Sequence, residues 1–192
     1  DFEESNLSGA GLGGAVDGAN FTDAIIRGAG FGASFTLAQL YSTTSYEQGN
    51  LQGVLLQYNP GLAGADLAGQ DLTGGSIDGS DLTNAAFQNA TLTELSARDA
   101  SLDQANLSEV KLERSDLDDA SLKGANLSGA DLKHARVTFA DFSDADLSSA
   151  DLEGAEARDA TMDRINGAGV KLSEAEAFRL SLKPTAGSIR RC

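Results

Sequence analysis

Tryptophan is absent from this chain, and cysteine, methionine and histidine occur once each. The lone Cys192 excludes an internal disulfide framework and leaves either a solvated thiol or an intermolecular bridge. The lone His134 excludes the Cys/His spacings of a zinc site. It also stands without a serine or cysteine placed to pair with it, so no catalytic constellation is expected. The two prolines, Pro60 and Pro184, fall where the sequence pattern is interrupted, as suits residues that cannot donate to a ladder. No apolar run approaches the length of a membrane-crossing helix, so no membrane insertion is expected. Bases are scarce. Lys and Arg number 14 against 29 Asp and Glu, a net charge of −15, which removes the electrostatic basis for direct nucleic-acid binding. Residues 1–97 hold one base, Arg27, against eleven acids. That half is either a surface for something basic or simply an acidic, solubilising one.

Carboxylates are abundant but match no metal-binding motif. Asp116, Asp118 and Asp119 cluster, yet they do not match a calcium-binding helix–loop–helix. Gly74-Gly75-Ser76-Ile77-Asp78 does not match the glycine-rich calcium nonapeptide. No glycine-rich phosphate loop is present. Neither metal nor cofactor is expected. The sequons Asn6-Leu7-Ser8, Asn20-Phe21-Thr22, Asn106-Leu107-Ser108 and Asn126-Leu127-Ser128 are by-products of a repeat. No signal peptide is visible, and the chain opens at Asp1 inside a repeat, as expected if a leader was removed or omitted. Cytoplasmic and secreted settings both fit.

What the chain does have is a period of five. Ala65-Asp66-Leu67-Ala68-Gly69, Ala125-Asn126-Leu127-Ser128-Gly129 and Ala150-Asp151-Leu152-Glu153-Gly154 share one pattern: small, polar, large apolar, polar, small. The large position recurs without a slip from Leu62 to Leu182, and only Gly167 lacks an apolar side chain there. An earlier array runs Phe2, Leu7, Leu12, then Val16, Phe21, Ile26 and Phe31. The step from Leu12 to Val16 is four residues, so one position is missing near Gly13-Gly14. A five-residue period fits neither the 3.6 of a helix nor the 2 of a strand. Units this short bury nothing alone and must stack on copies of themselves. Two positions per unit point inward, the central one and the small one two before it. Leu95 with Ala97, and Ile165 with Gly167, swap large for small and conserve volume. Val110, Val170 and Leu180 carry no such compensation.

These tandem A(D/N)LXX units resemble the pentapeptide-repeat family over most of residues 1–183. The resemblance implies an all-β fold, a right-handed quadrilateral parallel β-helix with four pentads per coil. Every twentieth residue then stacks, and about eight coils at strand spacing make a rod roughly 40 Å long. The expected organisation is a single repeat domain over 1–183, with a short stack 1–33, an insertion 34–50 and a main stack 51–183. Residues 184–192 form a tail.

The insertion carries helical signals. Thr36 with Gln39 has capping-box spacing. Leu37, Leu40 and Tyr41 make one apolar stripe, and Gly49 is a natural stop. The expectation is one short helix over about 36–47. Tyr41 and Tyr46 lie within it and Tyr58 just after, so this outcrop either contacts a partner or covers the flank of the coil. On one face of the expected coil, Phe139 and Phe178 are large, apolar and off the inward positions, beside Arg158, an interface composition. Phe178 fits a closing cap equally. The candidate partner surface is therefore Tyr41, Tyr46, Tyr58, Phe139, Arg158 and Phe178.

Three functions compete. The first is a non-enzymatic scaffold presenting flat faces to a protein partner. The second is an acidic mimic of DNA that binds an enzyme such as DNA gyrase, which the resemblance suggests. Leucine rather than phenylalanine centres, and the bases Arg98, Lys111, Arg114, Lys123, Lys133 and Arg136, count against it. The third is homo-oligomerisation through open coil ends.

Overall fold

The computed structural model describes residues 1–14 and 16–172, together with the backbone of 181–183 and 190–191. From Asp66 onward the backbone repeats one operation. Every fifth residue forms a parallel bridge with the residue twenty further on: Asp66 with Ala86, Asp71 with Thr91, Ser76 with Ser96, Asp81 with Ser101, and so on to Asp151 with Lys171. The chain thus returns above itself after twenty residues, with four bridges per lap. The same register joins Thr161–Asp163 to Ser181–Lys183.

Between bridges the chain turns a corner. Ala85 N–H donates to the Leu82 carbonyl at 3.0 Å, and Asn84 between them has φ +61°. A β-turn with a positive φ at its third residue is thereby built into each pentad. Gly, Asn and Asp suit that position, but here it also holds Glu94, Arg114, His134 and Phe139. The turn swings each central side chain inward. From Leu62 to Leu172 every apolar central side chain is at most 5 % exposed. The alanines two positions earlier are equally enclosed, which is why nothing larger is usual there. Leu95, Ile165, Val110 and Val170 are all 1 % exposed. The two valines fit without a compensating small neighbour; Leu180 lies outside the described residues.

The recurring Asp or Asn before each central residue has a structural role. Its Oδ1 accepts the outward backbone N–H two residues on: Asp71 from Thr73 at 3.0 Å, Asn126 from Ser128 at 3.1 Å, Asp146 from Ser148 at 2.8 Å. Where Ser96, Ser121 or Arg136 takes that place, an aspartate from the coil before supplies the acceptor. Asp78 accepts from Arg98 N–H, Asp103 from Lys123 N–H and Asp118 from Thr138 N–H.

The earlier coils are irregular in a countable way. Asn6 bridges Ile25, and Gly11–Leu12 pairs with Gly30–Phe31, both at an offset of nineteen. The missing position near Gly13-Gly14 is that shortened lap. Gly30 then bridges Leu55, an offset of twenty-five, because the insertion lengthens the lap. Asn50 with Asp71 and Leu55 with Ser76 stand at twenty-one. Pro60–Leu62 forms a single 3-10 turn that absorbs the extra residue, capped by the Asn59 side chain accepting from Gly61 N–H at 2.8 Å. Asn59 is fully buried and also donates to the Phe35 carbonyl at 2.7 Å. Phe2, Phe21, Phe31 and Phe35 interlock beside it, with Phe31 and Phe35 stacked at 3.9 Å.

The insertion holds two helices rather than the single expected one over 36–47: α1, Leu37–Tyr41, and α2, Thr44–Glu47. The capping box of Thr36 and Gln39 forms as expected. The break falls at Ser42-Thr43 because Thr43 caps α2. Its Oγ1 accepts from Tyr46 N–H at 3.2 Å and donates back to Leu40 at 2.8 Å. Leu40 is fully buried, Leu37 packs partly against the core, and Gly49 follows with φ +67°. Ser45 Oγ accepts the Ile26 N–H at 2.9 Å, standing in for the strand carbonyl that the helices displace.

Candidate functional site

The fold places the polar groups in columns, so each surface can be followed coil by coil. The face through Ser76, Ser96, Asp116, Arg136 and Glu156 carries a ladder of charges. Arg98 reaches Asp116 at 3.3 Å, Arg136 reaches Asp116 at 3.2 Å and also Asp118, and Glu156 lies 3.9 Å from Arg136. On the face before it, Lys133 sits between Asp131 and Asp151 at 3.3 and 3.2 Å, and Lys171 joins Asp151 at 3.0 Å. Burial works against the charge on Asp151, but the hydrogen bond from Lys171, helped by Glu153 N–H and Lys133, holds its carboxyl below the usual 3.8. Burial likewise opposes ionisation of Asp71, and Thr73, Gln52 and the charge of Arg27 outweigh it. The basic partners of these pairs are about half exposed, whereas Asp118 and Asp151 are mostly enclosed, so the pairs are worth more than wholly exposed ones.

The candidate residues divide into two groups. Tyr41 and Tyr46 converge on the backbone of one residue, Asp66. Tyr41 Oη accepts from Asp66 N–H at 2.7 Å, and Tyr46 Oη donates to the Asp66 carbonyl at 2.9 Å. Their rings tilt against one another at 4.7 Å. Asp66 lies where the coil below would have offered strand backbone, and the two phenols occupy that place. Burial, then the charge of Asp66, raises the Tyr46 hydroxyl above its usual 10.0.

Tyr58 and Phe139 stand apart from this. They are the two most exposed large apolar side chains among the described residues, 71 % and 55 %. Both occupy corner positions, with φ +54° and +60°. The backbone ladder puts them on the same edge. Tyr58 N–H donates to the Asp78 carbonyl, Gly79 to Arg98, Asp99 to Asp118, Asp119 to Thr138 and Phe139 to Arg158. The edge therefore reads Tyr58, Gly79, Asp99, Asp119, Phe139, Asp159. The Tyr58 ring lies over Gly79, where an added Cβ would come within 2.5 Å of it. Arg158 is exposed beside Phe139, and Phe178 lies outside the described residues.

No group of His, Cys, Asp and Glu able to hold a metal ion occurs among the described residues. His134 is a corner residue lying over Gly154, where an added Cβ would come within 2.4 Å of the ring. No helix among the described residues is long and apolar enough to cross a membrane. The sequence pattern gave no sign of the tyrosine contacts with Asp66 or of the aspartates that serve the coil above. The aspartates act across regular twenty-residue laps, and the tyrosines across the lap that the insertion lengthens.

The pentapeptide-repeat family profile matches the chain in eight copies, within residues 62–95, 86–124, 100–138 and 125–164. Solved structures of similar chains include HetL, a pentapeptide repeat protein involved in heterocyst differentiation regulation from the cyanobacterium Nostoc. It is 24% identical, covering 90% of this chain and 74% of that one, with a TM-score of 0.40. A trypsin-treated variant of QnrB1, a plasmid-mediated fluoroquinolone resistance protein, is 23% identical over 92% and 79%, with a TM-score of 0.49. A pentapeptide repeat protein, Rfr23, from the cyanobacterium Cyanothece is 24% identical over 82% and 91%, at 0.33. No curated protein matches the chain in sequence.

Proposed function

We propose, from the premise that this chain belongs to the pentapeptide-repeat family, that it is a non-enzymatic scaffold whose coil surfaces bind a protein partner. The architecture proposed for it is a right-handed quadrilateral β-helix of about eight coils at the strand spacing of 4.8 Å. The twenty-residue laps with four bridges each support that geometry. The observation that carries the function is Phe139, an apolar ring left more than half exposed on a rigid ladder. Burying that ring against a partner recovers about 25 cal/mol per Å² of apolar area. The candidate contact residues are Tyr58, Phe139 and Arg158, with Phe178 further along the chain; Tyr41 and Tyr46 serve the fold through Asp66. The test is reconstitution. A partner found by affinity purification should, once both proteins are pure, form a saturable complex. Failure to form any saturable complex overturns the reading, as does a turnover that one point substitution abolishes.

A second reading, an acidic mimic of DNA directed at an enzyme such as DNA gyrase, draws support from the net charge of −15. Against it, Asp116, Asp131, Asp141, Asp144 and Asp151 are already neutralised by arginines or lysines on neighbouring positions. A gyrase supercoiling assay unchanged at micromolar protein disposes of it.

A further inference from the structure

The edge from Tyr58 to Asp159 differs in charge from the other three corner columns. The column through Asn84 and Gln104 ends in a paired Asp144 and Arg164. The column through Glu94 contains Arg114 and His134. The column through Asn89 contains Glu109, Gly129 and Ser149. The Tyr58 edge, like the Asn89 column, has no base at a corner position, but it carries three aspartates where that column has Glu109 alone. Asp99, Asp119 and Asp159 are exposed, and none takes a side-chain hydrogen bond or ion pair among the described residues. Of the arginines beside it, Arg98 and Arg136 are already held by Asp116 and Asp118, and the exposed Arg158 stands at the Asp159 end, next to Phe139 and beyond Asp99 and Asp119. Unpaired negative charge and unburied aromatic surface thus coincide on one line and on no other.

The spacing on that line is fixed by the ladder. Four coil steps separate Tyr58 from Phe139, about 19 Å at strand spacing. Asp99 and Asp119 occupy the second and third steps between them. An extended peptide rises about 3.3 Å per residue and shows alternate side chains on one face. Six residues of it span about 20 Å by the same rise. Two side chains of one face fall between the ends of such a segment, at about 7 and 13 Å, within an arginine's length of the two carboxylates at about 10 and 14 Å.

Building on the scaffold reading, we propose that this edge binds an extended basic segment of a partner protein, carrying aromatic or large apolar side chains six residues apart and arginines at the second and fourth positions between them. The end residues stack on Tyr58 and Phe139, and the arginines pair with Asp99 and Asp119. Each arginine also lies within reach of an aromatic face, an arrangement that favours arginine over lysine. The charge pairing makes the interaction salt-dependent.

The test uses a fluorescein-labelled peptide, Trp-Ser-Arg-Ser-Arg-Ser-Trp, and anisotropy at low and physiological salt with the full chain. Saturable binding is expected. It should weaken about fivefold or more, about 1 kcal/mol, in Tyr58→Ser, in Phe139→Ser and in the double variant Asp99→Asn with Asp119→Asn. A peptide of the same composition with both tryptophans at one end should bind more weakly. The control variant Glu94→Gln with Glu109→Gln, on other edges, should leave affinity unchanged. All sites are exposed, and circular dichroism verifies that each variant keeps its fold. Equal loss in the control variant, equal binding of the rearranged peptide, or no loss in the edge variants means general attraction to an acidic surface and overturns the proposal. A reconstituted protein complex that survives the edge variants also overturns the proposal while leaving the scaffold reading intact.

Discussion

Asp118 accepts the backbone N–H of Thr138, twenty residues later, at 3.0 Å. The bond exists because Arg136 stands where an Asp or Asn in other pentads supplies the acceptor, so the Thr138 N–H finds no acceptor in its own coil. The Asp118 side chain is 6 % exposed and also pairs with Arg136. Asp118→Ala removes both interactions, and it leaves a donor unsatisfied. The expected loss is about 1.5–3 kcal/mol, the range for a hydrogen bond to a charged group. Asp119→Asn, one residue on but exposed at a corner that tolerates Asn, should stay within about 0.5 kcal/mol. Urea unfolding of the two variants side by side makes the comparison.

Much of this architecture was legible in the sequence, and the reason is geometric. A period of five with a buried centre fixes which side chains face in, so the column of Leu82, Leu102 and Leu122 followed directly. The four-residue step before Val16 foretold the nineteen-residue lap. The capping box at Thr36 foretold where α1 begins. The contact of Asp118 with Thr138 was hidden because a side chain reaching the next regular coil leaves no mark in the period, and that of Tyr41 because the insertion lengthens its lap. The helix break was hidden because Thr43 looks like an ordinary helix residue until its hydroxyl is seen to cap α2. The Tyr58 edge was hidden because the extra residue near Pro60 shifts the register by one.

Gly75 occupies an inward position that alanine fills most often, so a repeat-averaged design would replace it. A Cβ there would meet the Val54 carbonyl oxygen at 2.7 Å and the Leu72 carbonyl oxygen at 3.1 Å. Both are backbone atoms and cannot swing aside. Gly75→Ala is therefore expected to destabilise by about 1–3 kcal/mol, the usual cost of overpacking, although it matches the repeat better than the native residue. A thermal unfolding midpoint equal to or above that of the unmodified chain would contradict the contact.

Glu94 poses the opposite case. Its φ is +58°, a left-handed conformation costly for a side chain with a Cβ. Gly74, the corner one coil earlier, adopts φ +66° freely. Glu94→Gly relieves roughly 1–2 kcal/mol of local strain and gives back about 0.4–1 kcal/mol through the looser unfolded chain. A net gain of some tenths of a kcal/mol is expected, read from the urea midpoint.

Acid should act late. Asp71, Asp141 and Asp151 all have carboxyls held below the ordinary 3.8. For each, burial opposes the charge, and hydrogen bonds with a nearby base outweigh it. Groups lowered in the folded state contribute stability that is fully present above 3.8 and is lost as pH falls through their lowered values. Stability measured from pH 7 downward should therefore hold until about the ordinary carboxylate range and fall only below it. Asp71→Asn, which keeps an acceptor for Thr73 N–H, should make the fall shallower.

The two phenols on Asp66 can be separated by hydrogen exchange. Tyr41 Oη is the acceptor for Asp66 N–H, whereas Tyr46 Oη donates to the carbonyl of the same residue. Tyr41→Phe and Tyr46→Phe each remove one hydrogen bond, worth about 0.5–1.5 kcal/mol. Only the first exposes the Asp66 amide, so its exchange should accelerate in Tyr41→Phe and stay near the native rate in Tyr46→Phe. If neither substitution changes stability or exchange, the hydroxyls are not holding the insertion against the coil. The two tyrosines would then return to the exposed aromatic set from which a partner could choose.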